Sequence, residues 1–255
     1  MRETAIILEI VKEAGKIILD NQHENFDVIS KGNIDYVTEI DKKVNDFVCY
    51  KLMEAFPQDD ILSEESKNKC HKRDRRWIID PIDGTTNFIK GYPFVAISVA
   101  YEISQELVLG VVYNPIMNEL FVAEKGYGAT RDGKAISAGR TQDLSKSVLA
   151  SGFPYDMWET EDDNIDQWKK FMKSCISCRC DGSAALDICK VACGQFDGYW
   201  EKGIYAWDMA AGIVIAREAN CMVTDYKGQN NCLTRGEIVV ANPTIHQHML
   251  QKINE

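Results

Sequence analysis

Trp77-Ile78-Ile79-Asp80-Pro81-Ile82-Asp83-Gly84-Thr85-Thr86-Asn87-Phe88 is the stretch on which the reading of this chain turns. Three apolar residues run into two carboxylates three positions apart, and a turn with two hydroxyls follows. An apolar run that meets Asp-Pro reads as a buried strand that stops, because proline has no N–H for the next ladder bond. Asp80 and Asp83 then project from the mouth of a sheet. Two acids held that close repel, so a positive group is expected between them. Short carboxylates suit Mg²⁺, which binds through one or two of them plus a substrate phosphate. If Gly84-Thr85-Thr86 opens a helix, its free amides offer an anion site beside that ion. Metal and phosphate together outline a phosphatase. Taken alone, the same residues also make an ordinary Asp-Pro and Asp-Gly turn, so the rest of the chain has to decide.

Composition narrows the choice. A chain of 255 residues, 45% hydrophobic and 27% charged, is a globular chain with room for a sizeable core. No apolar run approaches the roughly 20 residues of a membrane helix. Met1-Arg2-Glu3-Thr4 carries acid early and opens an amphipathic pattern, unlike a secretory leader, so a cytoplasmic protein is expected. The net charge of −10 argues against nucleic acid as the main partner. The basic run Lys69-Cys70-His71-Lys72-Arg73-Asp74-Arg75-Arg76 reads as a solvated loop. Nine cysteines are many for a cytoplasmic chain. Cys175, Cys178 and Cys180 lack the second pair a structural zinc site needs, and Cys189 and Cys193 read as small core residues on one helix face.

Periodicity supplies the elements. Ile6, Ile7, Ile10, Val11, Ala14, Ile17 and Ile18 predict an amphipathic helix over residues 4–20. A second follows over 41–56, ended by Pro57, with Lys31 to Thr38 as a turn leading into it. Short strands are expected at 60–62, 77–80, 94–103, 107–113 and 119–124, and turns around Gly126, Gly128 and Gly133 close this half. Beyond residue 147, strands and helices alternate. Gly182-Ser183-Ala184 opens a helix, 196–201 is a strand, 207–219 a helix, and Asn242-Pro243 caps and starts the last one. The division expected is 1–145 and 146–255, two tightly joined halves of an α+β chain.

Two further acidic places stand out. Ile61-Leu62-Ser63-Glu64-Glu65-Ser66 sets a carboxylate pair at the end of a short strand. Trp207-Asp208-Met209-Ala210-Ala211-Gly212 sets an acid in the first turn of a small-residue helix, where it also serves as an ordinary cap. With Trp77 to Phe88, Asp41 after Val37-Thr38, and Gly182-Ser183-Ala184, these elements stand in the order of one family. The chain resembles, over nearly its whole length, the inositol monophosphatase family of Mg²⁺-dependent, lithium-sensitive phosphatases.

That resemblance implies a layered αβαβα sandwich of the inositol monophosphatase and fructose-1,6-bisphosphatase type, and a homodimer. It implies two or three Mg²⁺ ions. The first would be held by Glu64, Asp80 and the Ile82 carbonyl, the second by Asp80, Asp83 and Asp208, and a weaker third would share Glu64. Gly84 and Thr85 would offer amides to the phosphate, Thr85 with Asp41 would orient the attacking water, Glu64 and the Thr85–Asp41 pair would be the candidate proton acceptors, and Lys31 would stand near the metals. Glu201, Gly182, Ser183 and Ala184 would meet the alcohol, with Asp208 beside them. The substrate implied is a small phosphorylated polyol or sugar, myo-inositol 1-phosphate first. Fructose-1,6-bisphosphatase, histidinol phosphatase or broad sugar phosphatase activity are the alternatives, and a regulatory partner of the transcription machinery is the alternative of another class. The chain departs from the family pattern at Ser63, Asn220-Cys221 and Asp181, of which Asp181, beside the pocket, bears on the alcohol accepted.

Overall fold

The computed structural model describes every residue except positions 1, 23, 25, 26, 31, 33–35 and 66–73. Lys31 and most of the basic run before Trp77 therefore lie outside the described residues. The first layer is a pair of helices, α1 (Arg2–Asn21) and α2 (Glu39–Ala55), joined through a short hairpin of β1 (Val28–Ser30) and β2 (Tyr36–Thr38). Thr38 caps α2: its hydroxyl accepts from the Asp41 amide, and the Asp41 carboxylate accepts from the Thr38 amide.

These helices lie on a seven-stranded sheet. Its strands run in the order β3 (Asp60–Ser63), β4 (Arg75–Asp83), β5 (Ala96–Ile103), β6 (Glu106–Asn114), β7 (Glu119–Glu124), β8 (Gly128–Arg131) and β9 (Lys134–Ala135). Strand β3 is parallel to β4, and every later pair is antiparallel. Two expectations are corrected here. Strand β4 does not stop at Asp80-Pro81 but runs on to Asp83, with its register against β5 shifting between Asp80 and Asp83. Proline gives no ladder bond, so the strand bulges around it and resumes pairing at Asp83 opposite Ala96. The glycine-rich stretch after residue 125 does not end the sheet either. Asp132 and Gly133 both have positive φ, the conformation of a tight two-residue hairpin, and they connect β8 to β9.

Helix α3 (Thr85–Lys90) follows β4 directly. The remaining chain builds a mixed five-stranded sheet in the order β11 (Ser177–Arg179), β10 (Val148–Ser151), β12 (Gly198–Lys202), β14 (Glu237–Ala241), β13 (Met222–Thr224). Helices α5 (Ala184–Ala192) and α6 (Ala206–Glu218) fill the space between the two sheets. Outside the second sheet lie α4 (Ile165–Met172) and α8 (Pro243–Asn254), and α7 (Cys232–Arg235) is a single turn.

Three apolar clusters hold these layers. Ile7, Ile18, Val44 and Leu52 of the first helices meet Trp77, Ile79 and Val99 of the large sheet. On its other face Ile78, Ala100 and Val112 pack on Leu186, Ile188, Met209 and Ile213, which also touch Tyr199 and Val240 of the small sheet. Leu149, Trp200 and Val239 then bury against Phe171, Ile245 and Met249. The sequence is therefore an α+β protein in αβαβα layers. Each large apolar side chain so buried contributes about 1.5–3 kcal/mol. Helix α6 has no polar stripe because both of its sides are covered. Its close approach depends on Gly110, where an added Cβ would stand 2.4 Å from the Ala211 carbonyl oxygen.

Candidate active site

The layering brings four segments to one place. Strand β4 delivers Asp80, Ile82 and Asp83. The end of β3 delivers Glu64, whose amide donates to the Ile79 carbonyl at 3.2 Å and so pins the turn to β4. Helix α6 delivers Asp208 in its first turn, where the carboxylate accepts from the Tyr205 amide at 2.7 Å. Helix α2 delivers Asp41 from the other side. The Thr85 hydroxyl lies 2.9 Å from Asp41 Oδ1 and 3.2 Å from the Ile82 carbonyl oxygen, so its one proton is shared between two acceptors. Asp80 Oδ1 accepts from the Ile82 amide at 3.0 Å. Asp83 Oδ2 takes the Ser183 hydroxyl at 2.5 Å and the Ala185 amide at 2.7 Å, which ties the large sheet to the start of α5. Asn87 adds a second tie, donating to the Phe94 and Asp181 carbonyls at 2.8 Å each.

The electrostatics are those of acids gathered together. Asp80, Asp83 and Asp208 are buried. Burial raises Asp80 well above the usual carboxylate range, and its four strongest electrostatic neighbours, Glu64, Asp83, Asp208 and Asp41, are all acids that push it further. Burial raises Asp83 to about 6, held back by the Ser183 and Ala185 hydrogen bonds. Asp208 is raised by burial and by Asp83, with the Tyr205 amide opposing. Burial also raises Asp41, against its bonds to Thr38 and Thr85. Among the described residues no three His, Cys, Asp or Glu side chains form a closed metal cage as they stand. Their oxygens are turned instead to the hydroxyl and amide donors just named. The donor set nonetheless fits a hard divalent cation: all donors are oxygens, neighbouring acids push Asp80 further up, and three of the carboxylates sit on short Asp side chains.

Of these acids Asp83 and Asp208 line a cavity of about 320 Å³, together with Gly84, Thr85, Gly182, Ser183, Ala184 and Glu201. Glu201 is fully buried in β12, accepts the Tyr199 hydroxyl, and is raised to about 8, first by burial and then by Asp83. A larger cleft of about 720 Å³ lies elsewhere, between Arg76, Glu102 and Arg217, and contains none of these residues.

Two residues of the cavity escape a reading from sequence. Tyr155 stands on the loop after β10. The residue as a whole is 47% exposed, but desolvation at its hydroxyl, then the carboxylates of Asp208, Glu64, Asp80 and Asp83, raise that hydroxyl well above the ordinary phenol range. No pattern in Phe153-Pro154-Tyr155 announces this. Asp187 is a fully buried carboxyl on α5. Its signal is an acid between Leu186 and Ile188 in a helix whose other residues, Lys190 apart, are apolar. Elsewhere Cys175 Sγ and Cys178 Sγ lie 3.4 Å apart as free thiols, and among the described residues no helix is long and apolar enough to cross a membrane.

Carboxylates gathered on a strand–turn–helix between two sheets, in this order along the chain, define a phosphatase class, and the chain belongs to the inositol monophosphatase family, whose model matches residues 2–255. Among its relatives, Nus factor SuhB of Pasteurella multocida is 38% identical over 251 residues, covering 97% of this chain and 94% of the relative. Of solved structures, the extragenic suppressor protein suhB from Bartonella henselae superposes with a TM-score of 0.94 at 34% identity, covering 100% of this chain and 99% of the other. Inositol monophosphatase from Anabaena superposes with a TM-score of 0.89 at 35% identity, covering 99% and 96%.

Proposed function

We propose that this chain is a Mg²⁺-dependent phosphomonoesterase that hydrolyses the phosphate ester of a small polyol, myo-inositol 1-phosphate foremost, by direct attack of water and without a phosphoenzyme. The observation that carries the reading is the Asp41–Thr85 hydrogen bond beside a buried group of mutually repelling carboxylates, of which Asp83 and Asp208 line one cavity with Thr85. Glu64, Asp80, Asp83, Asp208 and the Ile82 carbonyl would hold two or three Mg²⁺ ions. Bound there, the ions supply the positive charge that the acids and the ester oxygens both lack.

The chain's own groups do the rest. Thr85 Oγ, whose proton is directed at Asp41 and Ile82, accepts a hydrogen bond from the attacking water and, as it takes up that water's proton, passes its own to the Asp41 carboxylate. Gly84 and the first turn of α3 meet the phosphate through amides that have no partner within the helix. Glu201, Gly182, Ser183 and Ala184 contact the alcohol. A fructose bisphosphate, histidinol phosphate or broader sugar phosphate substrate would use the same hydrolytic groups. The same reading carries a cytoplasmic homodimer.

The relatives named Nus factor SuhB favour a second reading, a regulatory partnership with the transcription machinery. One experiment separates the two. Phosphate release is measured from a panel of monophosphates with Mg²⁺, with EDTA and with Li⁺. Release that requires Mg²⁺ and is led by inositol 1-phosphate supports the first reading. No release from any ester refutes it and favours the second.

A further inference from the structure

Two of the cysteines stand as a pair. Cys175 lies on the turn after α4 and Cys178 on β11, with Ile176 and Ser177 between them. Both are free thiols, and their sulfurs are 3.4 Å apart. Each is half-buried against the outer apolar cluster beside Leu144 and Trp168, while Ile176 between them is 66% exposed. The backbone fixes the spacing: the Cys175 amide donates to the Phe171 carbonyl at 3.1 Å, and the Ile176 amide to the Ser147 carbonyl at 2.9 Å. A disulfide holds its sulfurs at about 2.05 Å, so a closure of about 1.4 Å would join them.

This pair differs in chemistry from the cysteines of the core. Burial raises the thiols of Cys189, Cys221 and Cys232, to about 12 for Cys221 and about 11 for Cys232, which keeps them protonated and unreactive at neutral pH. At Cys175 the hydrogen bond from Cys178 is the larger effect and lowers the thiol, with burial opposing it. The same bond, then burial, raises Cys178 as the donor. One sulfur is thus prepared as the nucleophile while its neighbour keeps the proton, the division of labour of a Cys-x-x-Cys couple.

The strand carries the pair to the cavity. Strand β11 is an edge of the small sheet, and Cys178 faces Leu149 of β10 across its one ladder. Two residues on, Cys180 lines the cavity, followed by Gly182, Ser183 and Ala184. The Asp181 carbonyl accepts from Asn87 at 2.8 Å, and Ser183 donates to Asp83 at 2.5 Å. The segment is closely packed there: a Cβ at Gly84 would stand 3.0 Å from the Gly182 carbonyl oxygen, and one at Gly182 would stand 3.0 Å from Asn87 Nδ2. A shift of the edge strand therefore reaches the residues that hold Asp83.

We propose that Cys175 and Cys178 are a reversible oxidation site, forming an intramolecular disulfide that displaces β11 and slows turnover at the adjoining cavity. The oxidant is a low-molecular-weight disulfide. The Cys175 thiolate attacks one of its sulfurs and expels the first small thiolate, leaving a mixed disulfide. Cys178, giving its proton to solvent, then attacks the Cys175 sulfur and expels the second. Two protein thiols become one disulfide and one small disulfide becomes two thiols, so electrons and protons balance. The chemistry of the pair is independent of the phosphatase reading, and its effect on turnover rests on that reading.

The test equilibrates the full chain in mixtures of glutathione and glutathione disulfide, quenches it with acid and alkylates the remaining thiols. As the disulfide fraction rises, peptide mapping of the wild type should place a bond between Cys175 and Cys178, with no glutathione retained on either. Cys178→Ser should instead accumulate glutathione on Cys175, whereas in Cys175→Ser the Cys178 thiol should stay free. With Mg²⁺ and myo-inositol 1-phosphate, oxidation should lower kcat/KM of the wild type by about threefold or more, and dithiothreitol should restore it. Both serine variants should be insensitive. A wild-type protein that keeps both thiols free where glutathione disulfide predominates would overturn the proposal, and that readout needs no variant to fold. A disulfide that leaves kcat/KM within about 1.5-fold, or an equal loss in the serine variants, would overturn the link to the cavity. Reduced protein inactive on both inositol 1-phosphate and p-nitrophenyl phosphate would overturn the phosphatase reading, and the mapped bond would still decide the chemistry of the pair.

Discussion

Glu201→Gln should make the metal-free protein more stable, and the gain should depend on pH. Burial raises the folded-state pKa of Glu201 to about 8 from an ordinary 4.5. The native protein thus keeps a proton that the unfolded chain releases at lower pH. Stability attached to the protonated form is complete below about pH 4.5 and is lost as pH rises through 8. At pH 7 the gap from 4.5 corresponds to about 3 kcal/mol, at roughly 1.4 kcal/mol per pH interval. Glutamine removes the titration, keeps the shape, and still accepts the Tyr199 hydroxyl. Relaxation of the site lowers the figure, so about 2 kcal/mol is expected, or a rise in Tm of about 4–8 °C for a chain of this length. Urea unfolding in EDTA at pH 5 and pH 8 measures it. The two proteins should agree within about 0.5 kcal/mol at pH 5 and diverge at pH 8. A difference of equal size at both values would show that Glu201 is not held against its charge.

Further expectations concern the acids and the core. Asp83→Asn should reduce Mg²⁺-dependent phosphate release by about 10³-fold or more while leaving the circular dichroism spectrum unchanged; near-normal turnover would remove Asp83 from the ligand set. Mg²⁺ at a hundred times its Kd should stabilise the wild type by about 2.7 kcal/mol, seen as a rise in Tm on titration, and the Asp83→Asn protein should gain much less. Lys190→Met should destabilise the fold by about 3–5 kcal/mol, because it leaves the Glu119 carboxylate buried with only the half-buried Arg131 for a partner; chemical denaturation reads this directly.

How much of this was legible before any coordinates depends on how local the cause is. The amphipathic repeat of Ile7, Ile10, Val11 and Ile18 locates α1 because one face alone must be buried, and Asn242-Pro243 announces α8 because capping is decided within a few residues. The continuation of β4 past Pro81 was not legible. It depends on Ala96 offering Asp83 a partner across the sheet, which no local pattern records. Asp132-Gly133 did carry a hairpin signal, outweighed by the surrounding glycines.

The acids at Glu64, Asp80, Asp83 and Asp208 are legible as a set only through the order in which their motifs occur; their convergence is a product of the layering. That resemblance named Thr85 and Asp41 as partners, and the fold brings them within hydrogen-bond distance. Lys31 lies outside the described residues, so its role stays an expectation.

The cavity draws its two ends from different sheets. Asp83 rides on β4, Glu201 on β12 and Asp187 on the helix wedged between. At the cavity itself the layers are tied by Asp83 on Ser183 and Ala185, and by Asn87 on Asp181. Substitutions in β12 or α5 could therefore reshape one wall of the cavity while leaving the acids of β4 in place. Diversification of substrate, on this architecture, is a matter of re-registering two slabs rather than of reinventing a reaction.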